Sequence, residues 1–247
     1  MKLTIIGCGD AFSSGGRLQS AFLLDSGPSR LLIDCGATIL VGLEHMRLNP
    51  NSIPRIVISH LHGDHFAGLV WFLMHAAFVA NRVAPLDIYG PPGVEARVHA
   101  AIEIMYPGVP ALIGGFEVRY HEIQSRQPID VGGVQVTAFE VVHPSGAPSY
   151  ALRFEQGGKV FAYTGDSQWT DALIAAGLQA DLYLMECYKF NGTPILHLSW
   201  TMIERHLDQI GARRIVLTHM AQDMLDRRGE IHDQRVTFAE DGAVVDI

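Results

Sequence analysis

Three histidines and one aspartate fall within six positions of the stretch SHLHGDH, which directly follows the apolar run RIVI. The apolar run predicts a buried strand, and residues two apart in near-extended backbone point the same way, so His60 and His62 can reach one ion. Asp64 and His65 begin the next predicted helix and can face a second point a few ångströms away. Gly63 would let the backbone turn tightly between the two pairs. The stretch therefore predicts two ligands for each of two neighbouring metal ions.

Two ions need further ligands, and three other predicted strands end in a suitable residue. FEVVH ends at His143, FAYTGD at Asp166 and RIVLTH at His219. Each of these residues alone also fits a turn or a cap, but together they complete a ligand set. We predict two groups of three ligands joined by a bridging Asp166: His60, His62 and His143 for one ion, and Asp64, His65 and His219 for the other.

The types of these ligands indicate both the metal and the chemistry. Imidazoles and carboxylates without a thiolate suit zinc, with manganese and iron as alternatives. Two adjacent divalent ions can share a water, lower its pKa and neutralise charge on substrate oxygens. A metal-bridged hydroxide formed in this way suits phosphodiesters, because a phosphate can lie across both ions. Asp64 could also orient that water or accept a proton.

The order H-x-H-x-D-H, followed by separate His, Asp and His at strand ends, resembles the metallo-β-lactamase superfamily. VVHPSGAPSYALRF and FAYTGDS are most similar to its ribonuclease Z and cyclic-phosphodiesterase branch. The resemblance implies an α/β fold, a four-layer αββα sandwich with the site along one sheet edge. It also implies that His197, in ILHLSW, is the proton donor. Glu186, at the end of the predicted strand DLYLME, could orient His197. Asp166 stands where the best-known lactamases have cysteine, which argues against β-lactam hydrolysis.

The order of predicted elements agrees with that architecture. Short strands, then helices, occur twice along the chain, which predicts two sheets packed face to face with helices outside and a single domain over residues 1–247. Within it we expect a turn at SGPS, a helix from about Asp64 to Asn81 and a helix from an N-cap at Ser199 to Ile210. The terminal RVTFAEDGAVVDI predicts a closing β-hairpin.

Composition narrows the function classes. Hydrophobic residues make up 48% and charged residues 18% of the 247 residues, which allows a substantial core. The net charge is −8, whereas nucleic-acid binders usually carry a basic face. The longest apolar run is too short to span a bilayer, which takes roughly 20 residues. With no apolar core long enough for a signal peptide, we expect a cytoplasmic protein without a membrane partner.

These observations favour a dinuclear-metal phosphodiesterase acting on a small or medium phosphodiester. One alternative is a tRNA 3′-processing endoribonuclease, but the chain has an apolar segment, DIYGPPGVEARV, where ribonuclease Z resemblance would imply a long basic arm. A second alternative is an ester or lactone hydrolase using the same site, and a third is a non-hydrolytic metal-binding protein. The loop YKFNGTPIL, residues 188–196, is a candidate for gripping the substrate. The resemblance also implies a possible homodimer.

Overall fold

The computed structural model describes residues 1–27 and 29–247. Pro28, in the turn expected at SGPS, lies outside the described residues. The strands are β1 Lys2–Gly7, β2 Ala21–Ser26, β3 Ser29–Ile33, β4 Arg55–Val57, β5 Leu86–Gly90, β6 Val118–Glu122, β7 Ile129–Asp130, β8 Gln135–Val141, β9 Ser149–Gln156, β10 Lys159–Tyr163, β11 Leu182–Glu186, β12 Ile215–Thr218, β13 Val236–Phe238 and β14 Val244–Asp246. The α-helices are α1 Ile39–His45, α2 Gly63–Phe66, α3 Gly68–Phe78, α4 Val94–Met105, α5 Asp171–Gly177, α6 Trp200–Ile210 and α7 Gln222–Asp226.

The strands form two mixed sheets. The first has the order β14-β1-β2-β3-β4-β5-β6 and the second the order β13-β12-β11-β10-β9-β8-β7. In the first sheet β3, β4, β5 and β6 are parallel to one another, and in the second β10, β11, β12 and β13 are. Parallel neighbours need crossover connections, which accounts for the helices between these strands.

The inner faces of the two sheets pack against each other to form the central core. Alternation along the strands directs one set of side chains inward: in β8, Val136 and Ala138 are fully buried between more exposed neighbours. Across the interface, the rings of Phe22 and Tyr163 meet edge to face with their centroids 5.2 Å apart. This aromatic contact joins the first sheet to the second close to the edge where the candidate site lies.

Helices cover the outer face of each sheet. Helix α6 is amphipathic and buries Ile203, Leu207 and Ile210, spaced three or four residues apart, against the second sheet. Helix α3 buries apolar side chains over most of its surface against the first sheet. The layers are thus helix, sheet, sheet and helix, which confirms the predicted αββα sandwich.

Three local predictions differ from the structure. The helix expected over residues 64–81 is divided into α2 and α3, because the Gly68 amide donates to the Cys35 carbonyl (2.8 Å) at the end of β3. A side chain at Gly68 would meet the backbone of that strand end, so glycine is required there and not at Gly63, whose surroundings are open and whose φ is not positive. Ser199 is the N-cap residue of α6 and the helix ends at Ile210, as predicted, but the Ser199 side chain accepts no hydrogen bond from a helix amide; its hydroxyl donates instead to the Gly192 carbonyl (2.7 Å).

The predicted terminal hairpin is wrong in its pairing. β13 joins the second sheet parallel to β12, whereas β14 joins the first sheet antiparallel to β1. The two strands therefore close different sheets. Within residues 1–27 and 29–247, none of the helices is both long and apolar enough to cross a membrane.

Candidate metal centre

The candidate ligands follow the carboxyl ends of strands from both sheets. His60 lies beyond β4, His143 beyond β8, Asp166 beyond β10 and His219 directly after β12. Glu186 is the last residue of β11. Since these strand ends meet at one edge of the sandwich, residues far apart in sequence converge there.

His60, His62 and His143 form the first cluster. One ligand atom from each lies within 4.8 Å of the others. His143 Nε2 is 2.8 Å from His62 Nδ1, and His143 Nδ1 donates to the Leu196 carbonyl (2.8 Å). Because a carbonyl can only accept, Nδ1 carries the proton and the lone pair of Nε2 is available to a metal ion.

Asp64, His65, Asp166 and His219 form the second cluster, again with ligand atoms within 4.8 Å of one another. His219 Nε2 is 3.1 Å from Asp64 Oδ2 and 3.3 Å from Asp166 Oδ2. All four residues are buried. Burial by itself would lower the pKa of His219, but Asp166 and Asp64 raise it to about 9. A divalent cation would take the place of protons here, since ligand imidazoles must be neutral.

The Asp166 carboxylate lies between the two clusters. Its Oδ2 is 3.2 Å from His65 Nε2 in the second cluster and 3.9 Å from both His60 Nε2 and His143 Nε2 in the first. Burial would raise the pKa of Asp166, but His219 and His65 hold it well below its ordinary value. Asp166 therefore reaches histidines of both clusters.

The donor set fits divalent metal ions. Three buried polar atoms at the centre have no hydrogen-bond partner among the described residues: His60 Nε2, His65 Nε2 and Asp166 Oδ1. A buried polar atom without a partner costs roughly 1–3 kcal/mol, and a cation coordinated by several of them would remove that cost. A metal centre requires several unpartnered ligand atoms in one place, whereas a purely structural cluster would pair them by hydrogen bonds.

Asp34 supports the second cluster and is a residue that sequence reasoning missed. Its Oδ2 accepts from His65 Nδ1 (2.7 Å), from the Tyr163 hydroxyl (3.0 Å) and from the Ser59 hydroxyl (2.8 Å), and its Oδ1 accepts from the Ser59 amide (2.7 Å). The carboxylate fixes the His65 ring so that Nε2 points at the centre. An aspartate ending the apolar run LLID was the only sequence signal for it.

Replacing Asp34 with asparagine is expected to weaken metal binding by about 10–100-fold, because the amide cannot accept from all four donors and leaves His65 less fixed. Competition with a chelator of known affinity measures the change. Asp25→Asn is the matched control, since Asp25 pairs with Arg30 on β2 and β3 away from the centre. Equal metal affinities for the two variants would contradict a supporting role for Asp34.

His197 and Glu186 lie beside the second cluster. His197 Nδ1 is 3.3 Å from Glu186 Oε2 and 3.9 Å from Asp166 Oδ2, and the His197 ring stacks on Tyr188 with centroids 4.7 Å apart. Glu186 is fully buried, and its other oxygen accepts from the Ser167 amide (2.7 Å). Burial would lower the pKa of His197, but Glu186 raises it.

Three non-glycine residues near the centre have left-handed backbone: Asp34 (φ 56°), His219 (φ 56°) and Leu196 (φ 67°). Such conformations cost of order 1–3 kcal/mol each and persist only where the surroundings determine them. His219 is held by its amide, which donates to the Cys8 carbonyl (3.0 Å). The strain is thus located at a candidate ligand, at the support of His65 and at the carbonyl that fixes His143.

A cavity of about 120 Å³ opens over the two clusters. Its wall includes His62, Asp64, His143, Asp166, His197 and His219 together with Phe12, Tyr188 and Leu196. None of the described residues that line it is lysine or arginine. The loop 188–196 contributes Tyr188 and Leu196 to the wall, and its role in gripping a substrate stays a prediction.

The chain is similar to known proteins both in sequence and in fold. The probable metallo-hydrolase YhfI of Bacillus subtilis is 29% identical over 226 residues, covering 89% of the chain and 87% of YhfI. The crystal structure of YhfI matches with a TM-score of 0.79 over 99% of both chains, at 26% identity. A relationship over nearly the full length of both chains extends beyond the metal motif alone.

Two ribonucleases of the same branch are also similar. Ribonuclease Z of Methanococcus maripaludis is 32% identical over 156 residues, which cover 62% of the chain and 49% of that enzyme. The short form of human tRNase Z has a TM-score of 0.78 at 26% identity, over 100% of the chain and 99% of its own.

The sequence profile of the family described as anti-Pycsar protein Apyc1 matches residues 1–245. Together with the metallo-hydrolase and ribonuclease Z relatives, this match covers the whole sandwich and its strand-end residues. The chain therefore belongs to the Apyc1 family and is a metal-dependent hydrolase of the metallo-β-lactamase superfamily, in its ribonuclease Z-like branch.

Proposed function

We propose that the protein is a dinuclear-metal phosphodiesterase that hydrolyses a small or medium phosphodiester. The observation that carries the proposal is the arrangement of two ligand clusters around one shared carboxylate, Asp166, with the His197–Glu186 pair beside it. With divalent ions bound, such a centre would supply positive charge for two substrate oxygens, and His197 would supply a proton for the leaving group. Phosphodiester hydrolysis needs both.

The seven proposed ligands fall into the same two clusters, with Asp166 shared between them. His60, His62 and His143 would hold one ion, Asp64, His65 and His219 the other, and Asp166 both. When bound, two divalent ions, most simply zinc, would lower the pKa of a water and neutralise charge on the phosphate oxygens. Asp64 would in addition accept a hydrogen bond from that water, since its carboxylate lies on the cavity wall.

His197 would donate a proton to the leaving oxygen. Its Nδ1 faces Glu186, so Nε2 is free to face a substrate, and a cationic imidazole is stabilised by the buried carboxylate. Glu186 would act through His197 as a positioning residue. The stack on Tyr188 restricts the imidazole to one plane.

The cavity favours a small substrate over a polynucleotide. A volume of about 120 Å³ accommodates a phosphate and the groups next to it, and none of the described residues of the wall is a lysine or arginine that could follow a nucleic-acid backbone. The net charge of −8 also disfavours a polyanion. We therefore propose a cyclic or nucleotide-like diester in preference to a tRNA precursor, with residues 1–247 acting as one catalytic domain.

A substrate panel tests the proposal. Zinc-, manganese- and iron-loaded protein would be assayed with bis(p-nitrophenyl) phosphate, cyclic nucleotides, a tRNA precursor and lactones, with chelator-treated protein as the control. We expect turnover of the small diesters that disappears with chelation. Lactone hydrolysis without diester hydrolysis would contradict the proposal in favour of an ester hydrolase, and bound metal without any turnover would favour a binding protein.

A further inference from the structure

Phe12 is a large apolar side chain at the mouth of the metal cavity with 80% of its surface exposed. It belongs to the loop between β1 and β2, which the proposed reaction does not use. An exposed phenyl ring loses the gain of roughly 1.5–3 kcal/mol that full burial would bring. Because Phe12 lies on the cavity wall, a molecule bound in the cavity would cover its ring.

The loop that carries Phe12 is ordered by its own hydrogen bonds. One oxygen of the Asp10 carboxylate accepts from the amides of Phe12 (3.2 Å) and Ser14 (2.8 Å), and the other from the Ser14 hydroxyl (2.7 Å). Gln19 donates to the Ala11 carbonyl (3.1 Å), and Ser13 has left-handed backbone with φ 57°. The backbone beneath Phe12 is therefore fixed while the ring itself is left facing solvent.

A loop of the other sheet places the apolar side chain of Leu196 at the same cavity. Leu196, held with φ 67°, lines the wall, and its neighbour Ile195 is 83% exposed. The Leu196 carbonyl accepts from His143, which ties this loop directly to the first ligand cluster. Two apolar side chains from two anchored loops thus border a polar, buried centre.

We propose that Phe12, together with Leu196, binds a flat apolar group of the substrate, such as an aryl or nucleobase ring, beside the phosphorus at the metal centre. This inference rests on the proposed phosphodiesterase function and assigns Phe12 as a specificity-determining residue. A ring is favoured over an alkyl group because an aromatic side chain stacks on a flat partner, which adds to simple apolar burial.

The test uses two ligands that differ only in the group next to phosphorus. Phenylphosphonate and methylphosphonate carry the same anionic head and have no ester bond to hydrolyse. Their binding to zinc-loaded protein can be measured by titration calorimetry, without reference to turnover. The variants are Phe12→Ala and Phe12→Leu, with Ile104→Ala as the matched control. Ile104 is 82% exposed on α4 and does not line the cavity.

We expect Phe12→Ala to weaken phenylphosphonate binding by about three- to tenfold and methylphosphonate binding by less than about twofold. Phe12→Leu should fall between the wild type and Phe12→Ala, and Ile104→Ala should match the wild type. Equal weakening of both phosphonates, or of neither, would overturn the role of Phe12 while leaving the phosphodiesterase proposal intact. Failure of the loaded wild-type protein to bind either phosphonate would overturn both.

Discussion

Asp166→Asn is expected to lower kcat/KM for phosphodiesters by at least about a hundredfold, because several kcal/mol of charge stabilisation depend on the two ions being held together. Asp166 faces both clusters, and its Oδ1 has no partner within the described protein. An amide supplies one neutral oxygen and an NH₂ group, which cannot bridge two cations. Bound metal, measured by elemental analysis, should fall together with activity.

Asp171→Asn is the matched control for this variant. Asp171 lies five residues further along the chain, exposed in the first turn of α5 and outside both clusters. Because ions that bind only the folded state raise the unfolding temperature, zinc should stabilise the control as it does the wild type and stabilise Asp166→Asn less. An Asp166→Asn protein with full metal content and wild-type rates would contradict a bridging role.

The sequence was sufficient to group residues whose placement follows from local backbone or from their position after a strand. His60 and His62 point to one place because the chain is extended between them, and Asp64 and His65 follow in the first turn of a helix. His143, Asp166 and His219 could be added because each ends a strand. The carboxyl ends of β4, β8, β10 and β12 lie at a common edge, so the type of the residue that follows each of these strands was informative without knowledge of the strand order.

The residues that were missed act through contacts that no local pattern records. Asp34 ends a strand as Asp166 does, yet it hydrogen-bonds to His65 and stays outside the ligand clusters. Leu196 matters through its backbone carbonyl, for which the side-chain type carries no information. Sequence therefore identified candidate ligands, whereas the groups that orient them depended on how β3 and the loop before α6 pack.

The error at the C-terminus has a specific physical cause. AEDG between two short apolar runs is typical of a hairpin turn, but Asp241 accepts from the Cys8 amide (2.9 Å) and the Leu18 amide (2.8 Å). These bonds hold the turn at the loop following β1, so β14 pairs with β1 while β13 pairs with β12. A strand–turn–strand pattern predicts two strands, and only distant partners decide whether they pair with each other.

The turn between β13 and β14, which contains Asp241, also contacts a residue next to the candidate site. Cys8, whose amide and thiol both donate to Asp241, gives its carbonyl to the His219 amide (3.0 Å). The left-handed conformation of His219 is thus stabilised from β1 and, through Asp241, from the segment joining the two sheets. Phe12 follows four residues after Cys8, so one loop takes part both in holding a candidate ligand and in lining the cavity.

His197→Ala is expected to slow hydrolysis by about 10²–10⁴-fold for diesters with alkoxide leaving groups and to leave p-nitrophenolate esters nearly unaffected. An alkoxide leaves only when protonated, whereas p-nitrophenolate is stable as an anion. The test measures hydrolysis rates for a series of diesters in which the leaving group varies and the second ester group is constant. These rates should depend more steeply on leaving-group basicity in the variant than in the wild type. Glu186→Gln should steepen the dependence less, because the amide can still accept from His197 without stabilising its positive charge.

Metal content distinguishes a proton-donating His197 from a metal-coordinating His197, which the geometry also allows. Asp166, Glu186, His197 and His219 have ligand atoms within 4.8 Å of one another, so His197 could coordinate an ion itself. A proton donor predicts full metal content and a leaving-group-dependent loss, whereas a ligand predicts lost metal and an equal loss for every ester. His206→Ala is the control, since His206 stacks on Trp169 (3.8 Å) away from the cavity and should change neither measurement.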